Sequence, residues 1–233
     1  RDVDLSQTFV GVSYYDGQGF MAPKALGVKS AKELDGASVC IQTGTTTELN
    51  LAEFFSANKI SYEAVPIETN SEAQELYKAG RCDVYTTDAS GLYSTRASMP
   101  VPSDHLVFAE IISKEPLGPV VRHGDDQWAD IVGWTLRAMM AGEELGITSA
   151  NVKSLAGKDN KNKEINRLLG KDPLQGLSKL GLSADWAVQV IGQVGNYEEV
   201  FEKNLGMSTP LKIARGANSL YRDGGLFYIP PIK

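Results

Sequence analysis

The sequence has few of the residues from which metal centres and hydrolytic active sites are built. Its 233 residues include only two cysteines and two histidines. His105 and His123 lie far from any cluster of cysteines or carboxylates at metal-ligand spacing, so we predict no metal site and expect no cofactor. No serine stands in a nucleophile-elbow pattern. We therefore do not expect an enzyme.

The sequence also lacks an excess of positive charge and long apolar runs. Its 23 Lys and Arg residues are outnumbered by 29 Asp and Glu residues, which gives a formal net charge of -6. A nucleic-acid partner is not expected, because phosphate binding needs a basic face. No apolar run approaches the roughly 20 residues that cross a bilayer. The sequence begins at Arg1 without an initiator Met, so we expect a processed or partial product.

What is present is a regular alternation of strand and helix patterns. Strands are predicted at 38–42, 62–67 and 82–87, and helices at 46–57 and 71–79. This β-α-β-α-β order predicts parallel strands joined by right-handed crossovers. A further strand is predicted over residues 10–15. Ligands of open parallel sheets bind beyond the carboxyl ends of the strands, which is where Gly44–Thr47 and Asp88 lie.

The segment 40–48 predicts an apolar strand that turns through Gly44 into a helix. Thr45 and Glu48 have the spacing of a capping box, in which each side chain bonds the backbone N–H of the other residue. The free N–H groups at a helix start carry partial positive charge and bind small anions such as a carboxylate. A later strand ends in Asp88, whose charge suits an ammonium group. Together they predict a site for a zwitterion, and hence an amino-acid-binding protein.

The two cysteines, Cys40 and Cys82, are 42 residues apart, and each lies in a strand-like run. Facing positions on neighbouring strands would allow a disulfide, worth about 4 kcal/mol on the loop-entropy model. Two buried free thiols fit the same residues. The pattern alone leaves both arrangements open.

Four segments, residues 14–21, 44–48, 80–88 and 113–119, resemble the periplasmic amino-acid-binding proteins of ABC transporters. The resemblance is strongest to the broad-specificity general L-amino-acid group and extends over nearly the whole chain. It implies an α/β, periplasmic-binding-protein type II-like fold. One complete lobe with a parallel βαβαβ sheet is expected over 10–113. A partial, mainly helical second lobe is expected from 1–9 and 114–233.

The resemblance also implies roles for individual residues. Thr46 would bond the ligand carboxylate from the helix start, and Asp88 would take the ligand ammonium. An Arg that clamps the carboxylate in this family matches Arg1, and a planar guanidinium fits a carboxylate well. The predicted ligand-binding set is therefore Arg1, Gln42, Thr46, Thr47 and Asp88. A periplasmic location, which the family implies, favours the Cys40–Cys82 disulfide. L-amino acids and ABC permease subunits are the expected partners.

The chain departs from the family at its start, because family members carry on the order of 100 further residues before this Arg, enough for a small domain. We expect a truncated form whose helices, predicted over 125–141 and from Ser183 to Leu205, have no sheet to cover them. Exposed apolar side chains would then drive a homodimer or pairing with a missing-lobe fragment. The side chains concerned are Trp128, Ile131, Trp186, Val190 and Phe201. Two alternatives are an oligomerising protein with little ligand binding and a small-molecule lyase on the same fold.

Overall fold

The computed structural model describes residues 2–171 and 180–231. The strands are β1 (Gln7–Phe9), β2 (Tyr14–Asp16), β3 (Gln18–Pro23), β4 (Ala37–Gln42), β5 (Tyr62–Ile67), β6 (Val84–Asp88), β7 (His105–Val107), β8 (Glu115–Leu117) and β9 (Val120–Arg122). The helices are α1 (Asp2–Leu5), α2 (Thr46–Asn58), α3 (Asn70–Lys78), α4 (Ala89–Ala97), α5 (Asp126–Glu144), α6 (Val152–Ala156), α7 (Lys163–Leu168), α8 (Trp186–Val194) and α9 (Tyr197–Asn204). Within the described residues, no helix has both the length and the apolar character needed to cross a membrane.

Two compact units make up the chain. The sheet unit consists of Tyr15–Pro116 with Pro210–Ile213. The helical unit consists of Arg1–Tyr14, Leu117–Thr209 and Ala214–Lys233. The chain passes from one unit to the other within β2 and again within β8, and these two short strands form a two-stranded sheet.

A five-stranded sheet in the order β5-β4-β6-β3-β7 forms the centre of the sheet unit. Strand β4 pairs in parallel with both β5 and β6, which confirms the predicted β-α-β-α-β arrangement with α2 and α3 as the crossovers. Strand β3 runs antiparallel to both of its neighbours, β6 and β7, so the sheet as a whole is mixed. The sequence patterns predicted only its parallel part.

Alternation along the strands divides the core of the sheet unit into two clusters. Odd and even positions of a strand point to opposite faces, so neighbouring apolar residues enter different clusters. One cluster contains Phe20, Ala22, Val39, Ile41 and Val84, together with Leu51 and Phe55 of α2. The other contains Met21, Cys40 and Tyr85, together with Ala73 and Tyr77 of α3 and Leu92 of α4. Helices therefore cover both faces, as expected of a sheet with parallel crossovers.

The predicted disulfide between Cys40 and Cys82 is present, with the two Cα atoms 5.6 Å apart. Cys40 lies in β4, whereas Cys82 lies two residues before the start of β6, so the strand predicted from residue 82 begins later than expected. Both cysteines are buried in the second core cluster. The Asp83 N–H donates to the Ser38 carbonyl at 3.0 Å, which brings the chain alongside β4 just where the bridge forms.

The strand predicted over residues 10–15 is wrong for most of its length, because β2 covers only Tyr14–Asp16. Gly11 has a φ of +147°, a backbone conformation that other residues rarely adopt. Its carbonyl oxygen also lies directly against Gly118, where any Cβ would clash. This close approach of two glycines replaces regular strand pairing in the segment before β2.

Helix α5 packs against α8 and α9 to form the core of the helical unit. The core includes Ala138, Ala141, Ile147, Val152, Leu168, Trp186 and Ile191. Trp186 is 7% exposed and Phe201 is 3% exposed, so the expectation that these two side chains lack cover is wrong. The Phe201 ring stacks on that of Tyr14, with centroids 6.3 Å apart. Trp186 is thus buried within the helical core and Phe201 is covered by a ring from β2, while Trp128 remains 52% exposed.

The helix predicted from Ser183 to Leu205 is in fact two helices, α8 and α9. Gly195 has a φ of +100° and interrupts the helical path. The Asn196 side chain then accepts from the Glu199 N–H at 2.9 Å, while the Glu199 carboxylate accepts from the Asn196 N–H at 2.8 Å. This reciprocal pair is a capping box that starts α9. The helix predicted over 125–141 is confirmed as α5, and Asp125 caps it by accepting from the Trp128 N–H at 3.0 Å.

Candidate functional site

Two helices begin at the same edge of the five-stranded sheet. Strand β4 ends at Gln42 and strand β6 ends at Asp88, and the two strands are parallel neighbours. Helix α2 starts at Thr46, shortly after β4, and helix α4 starts at Ala89, directly after β6. The carboxyl ends of parallel strands are the usual ligand edge of such sheets. Gln42, Thr46, Thr47 and Asp88 are thereby brought to one edge.

Helix α2 begins with donors that have no acceptor. Thr45 caps the helix by accepting from the Glu48 N–H at 3.4 Å. The Glu48 carboxylate accepts from the Gly44 N–H at 2.8 Å and not from that of Thr45, so the predicted capping box is wrong by one residue. Gly44, at a φ of +71°, turns the chain so that its own N–H reaches this carboxylate. Among the described residues, the N–H groups of Thr46 and Thr47 have no hydrogen-bond partner.

A cleft of about 610 Å³ opens beside this helix start. It is lined by Thr46 and Asn50 of α2 and by the segment 111–115. The segment can approach the sheet because residue 17 is glycine. A Cβ on Gly17 would lie 2.6 Å from the Ser113 carbonyl oxygen and would clash with the Ile111 side chain. The close approach of this cleft wall therefore depends on Gly17, which lies between strands β2 and β3.

Gln18 holds the parts of this site together. Its side chain is 1% exposed, and its amide N–H₂ donates to the Thr47 carbonyl and to the Thr86 hydroxyl, both at 3.0 Å. Its backbone N–H donates to the Ser113 hydroxyl at 2.9 Å. One residue thus bonds the first turn of α2, strand β6 and the cleft segment. The Gln18 Oε1 atom is buried and has no partner among the described residues.

Asp88 occupies the N-cap position of α4, but its side chain makes no capping hydrogen bond. It is half-buried, and its carboxylate has no hydrogen-bond or ion-pair partner among the described residues. Burial above all, and then the negative charges of Asp16 and Glu115, raise the pKa of the Asp88 carboxyl above its ordinary value. A carboxylate in this environment lacks a counter-charge, so a cation placed beside it would be stabilised.

Two further carboxylates influence Asp88 but are themselves hydrogen-bonded. Asp16 accepts from the Gly17 N–H at 2.9 Å, from the Ser90 N–H at 3.4 Å and from the Ser90 hydroxyl. Glu115, which lines the cleft, accepts from the Ser113 hydroxyl at 2.9 Å. Among the described residues, no group of three or more His, Cys, Asp or Glu side chains is arranged to hold a metal ion.

The predicted ligand-binding residues differ in what the structure shows of them. Thr46 lines the cleft, and Asp88 lies at the same sheet edge. The Gln42 side chain donates to the Glu68 carbonyl at 3.0 Å, which occupies its amide group. Thr47 presents its carbonyl to Gln18. Arg1 lies outside the described residues. Their roles in binding remain predictions.

Several residues of the site were not predicted from the sequence. They are Asp16, Gln18, Asn50, Ser113 and Glu115. Gln18 stands between two glycines, which can mark a close approach of the backbone but do not identify its distant partners. Ser113 and Glu115 lie in the segment 113–119 that carries part of the family resemblance, and their polar side chains within it were a usable signal.

No family model matches the chain. It is 55% identical over 233 residues to the glutamate/glutamine/aspartate/asparagine-binding protein BztA of Rhodobacter capsulatus. It is 54% identical over 234 residues to the general L-amino acid-binding periplasmic protein AapJ of Rhizobium johnstonii. Each alignment covers 100% of this chain and 68% of the relative.

A solved structure of a periplasmic binding protein is also similar to this chain. An ABC transporter/periplasmic binding protein from Brucella ovis with glutathione bound is 50% identical and superposes with a TM-score of 0.93. The superposition covers 100% of this chain and 73% of that protein.

Proposed function

Because this chain belongs to the family of amino-acid-binding proteins of ABC transporters, we propose that it binds the α-amino-acid group of its ligand at the sheet edge described above. The observation that carries the proposal is the Asp88 carboxylate, half-buried and without a partner among the described residues, beside a helix start with free N–H groups. A zwitterion supplies the two complementary charges. We infer that the ligand ammonium is held by Asp88 and the ligand carboxylate by the first turn of α2.

The two ends of the ligand are held by different kinds of group. The N–H groups of Thr46 and Thr47, together with the Thr46 hydroxyl, give a carboxylate several donors at the positive end of the helix dipole. Gln42 stands at the end of β4, and Arg1 would add a bidentate guanidinium clamp. These contacts fix the head group of the ligand and leave its side chain to the rest of the site.

We propose a broad ligand class for the same reason. One relative is named for glutamate, glutamine, aspartate and asparagine, and another for L-amino acids in general. The Brucella ovis protein has glutathione bound, and the γ-glutamyl end of glutathione keeps a free α-amino group and α-carboxylate. Recognition of that head group alone would suit all of these ligands.

The proposal extends to the setting of the protein. The chain would act in the periplasm as the binding component of an ABC transporter and deliver its ligand to permease subunits in the membrane. It would be a carrier without enzymatic activity, and its ligand would leave unchanged. Residues 10–113 would form one lobe of the binding protein, with residues 1–9 and 114–233 belonging to the other. We also propose that the chain associates with a second copy of itself as a homodimer.

Isothermal titration calorimetry with a matched ligand series tests the binding proposal. L-glutamine, L-glutamate and glutathione should bind, whereas the des-amino analogue of glutamine and its α-carboxamide should each bind far more weakly. Recovery of unmodified ligand after incubation should exclude turnover. Heats indistinguishable from dilution for every amino acid, or equal affinity for glutamine and its des-amino analogue, would contradict the proposal.

A further inference from the structure

We propose that Asp16 is a positioning residue that caps helix α4 in place of Asp88 and so keeps the Asp88 carboxylate available for a ligand. The inference rests on the proposed function only in naming what Asp88 is kept available for. The hydrogen bonds at the start of α4 themselves show that Asp16, and not Asp88, accepts from Ser90. It assigns a role to a residue that lies outside the predicted ligand-binding set.

Asp88 stands where a capping residue is expected. An N-cap Asp normally accepts from the backbone N–H of the second or third helical residue. Asp88 has the extended backbone of such a residue, with φ -53° and ψ 138°, yet its side chain makes no capping bond. The second residue of α4 is Ser90, and its N–H donates to Asp16 Oδ1 at 3.4 Å. Its hydroxyl donates to Asp16 Oδ2.

Asp16 is itself held in place by the turn that joins β2 to β3. The Gly17 N–H donates to Asp16 Oδ1 at 2.9 Å, and the Ala89 N–H donates to the Gly17 carbonyl at 2.8 Å. The turn and the start of α4 are thus bonded through both side chain and backbone. Opposite them in the sheet, Gln18 pairs directly with Asp88. The capping carboxylate therefore comes from the last residue of β2, which the turn into β3 holds in a fixed position.

This arrangement separates two tasks that would compete for one carboxylate. A capping bond turns the carboxylate toward the helix backbone and occupies part of its acceptor capacity, which leaves less of that capacity for a ligand ammonium. Because Asp16 accepts from Ser90, the N–H of the second residue of α4 does not need a bond from Asp88. The charged groups that act on Asp88 are Asp16 and Glu115, both negative, so the surroundings favour a cation beside it.

The sheet unit offers a matched control at its other end. The Ser61 N–H and hydroxyl donate to Asp35 Oδ1 at 2.7 and 2.8 Å, which repeats the Asp16–Ser90 pairing of a carboxylate with a serine. Asp35 precedes β4, whereas the candidate site follows the carboxyl end of that strand. Replacing Asp35 with Ala removes a comparable contact without touching the site.

An NMR pH titration of the ligand-free chain tests the capping role directly. The Ser90 amide proton and the Asp88 carboxyl carbon are followed in the parent, Asp16→Ala, Asp16→Asn and Asp35→Ala. In the parent and in Asp35→Ala, the Ser90 amide shift should not follow the Asp88 carboxyl carbon. In Asp16→Ala it should follow Asp88, because that carboxylate takes over the cap. In Asp16→Asn, where an acceptor oxygen remains for Ser90, the amide should not follow the Asp88 carboxyl group.

The outcomes against the proposal are equally specific. A Ser90 amide that follows Asp88 in the parent would overturn it, and this measurement stands even if Asp16→Ala does not fold. A Ser90 amide in Asp16→Ala that ignores Asp88 would overturn it as well. These readouts need no ligand, so they decide the role of Asp16 even if the parent binds no amino acid and the proposed function fails.

A binding measurement then connects the cap to the ligand. For L-glutamine, Asp16→Ala should weaken affinity about five- to tenfold, the worth of one capping bond that the ligand must displace. Asp16→Asn should weaken affinity less, since it preserves the cap. Asp35→Ala should retain the affinity of the parent. Equal losses in Asp16→Ala and Asp16→Asn would overturn the positioning role and point to the charge of Asp16 alone.

Discussion

The Asp88 carboxylate is the group on which the proposed site depends most. Replacing Asp88 with Ala leaves a ligand ammonium without its counter-charge, which typically costs roughly 3–5 kcal/mol when the pair is buried. We therefore expect more than about a hundredfold loss of affinity for L-glutamine. Thr46→Ala should weaken binding by about fivefold, because one hydroxyl bond is lost while the helix N–H groups remain. Calorimetry measures both, and parental affinity in Asp88→Ala would remove the zwitterion model.

Asp88 should also make the ligand-free protein less stable than it could be. Because its pKa is raised in the folded chain, the folded state binds protons more tightly than the unfolded state, and stability falls as pH rises through that range. We expect Asp88→Asn to raise the melting temperature at neutral pH. The gain should vanish below the ordinary Asp pKa, where both states are protonated. Thermal melts from pH 3 to 8 measure it, with Asp35→Asn as control. A variant less stable than the parent at neutral pH would contradict this expectation.

Sequence patterns predicted the side chains that stand at element ends and missed those that connect elements. Thr46 and Asp88 follow strands that local patterns identify, so their sheet edge could be inferred. The bond from Glu48 went to Gly44 instead of Thr45, because a left-handed glycine turns its N–H toward the carboxylate. Gln18 was missed because its partners, Thr47 and Thr86, are 29 and 68 residues away. Contacts of that separation leave no local signature.

The strands and helices were likewise predicted where a local pattern identifies them and missed where tertiary contacts determine them. The β4-α2-β5-α3-β6 run was predicted because each element has its own pattern and boundary residues. Strand β3 was seen only as a short apolar run, since its antiparallel pairing with β6 and β7 is set by tertiary structure. The long helix after Ser183 was predicted as continuous because its apolar spacing persists. Gly195 and Asn196 were the stop and start signals that this spacing concealed.

The disulfide between β4 and the chain before β6 should contribute strongly to the sheet unit. It closes a loop of 42 residues, for which the chain-entropy model gives about 4 kcal/mol. Because both cysteines are buried in a core cluster, alanine at both positions adds a small loss of packing. We expect Cys40→Ala/Cys82→Ala to lower the free energy of unfolding by about 3–5 kcal/mol. Urea unfolding measures it, and reductant should destabilise only the parent. Two free thiols in non-reduced parent protein would contradict the prediction.

The described residues of the helical unit leave some apolar surface exposed. Trp128 is 52% exposed at the start of α5, and Phe9 and Val120, from the paired strands β1 and β9, are 39% and 41% exposed. Burial of Trp186 and Phe201 within the chain removes two of the five side chains on which the expected association was based. The apolar surface that remains to stabilise an association is therefore smaller than the sequence suggested. We expect association that depends on the protein concentration.

Trp128 offers the sharpest test of that association. If the homodimer buries this side chain, each copy gains roughly 1.5–3 kcal/mol from it, and a two-fold interface counts the residue twice. Trp128→Gln should then dissociate the dimer, while Met207→Gln, at a side chain 60% exposed on the same unit, should leave it intact. Light scattering across a hundredfold range of concentration measures the mass. If the parent keeps the mass of a single chain throughout, the homodimer is excluded.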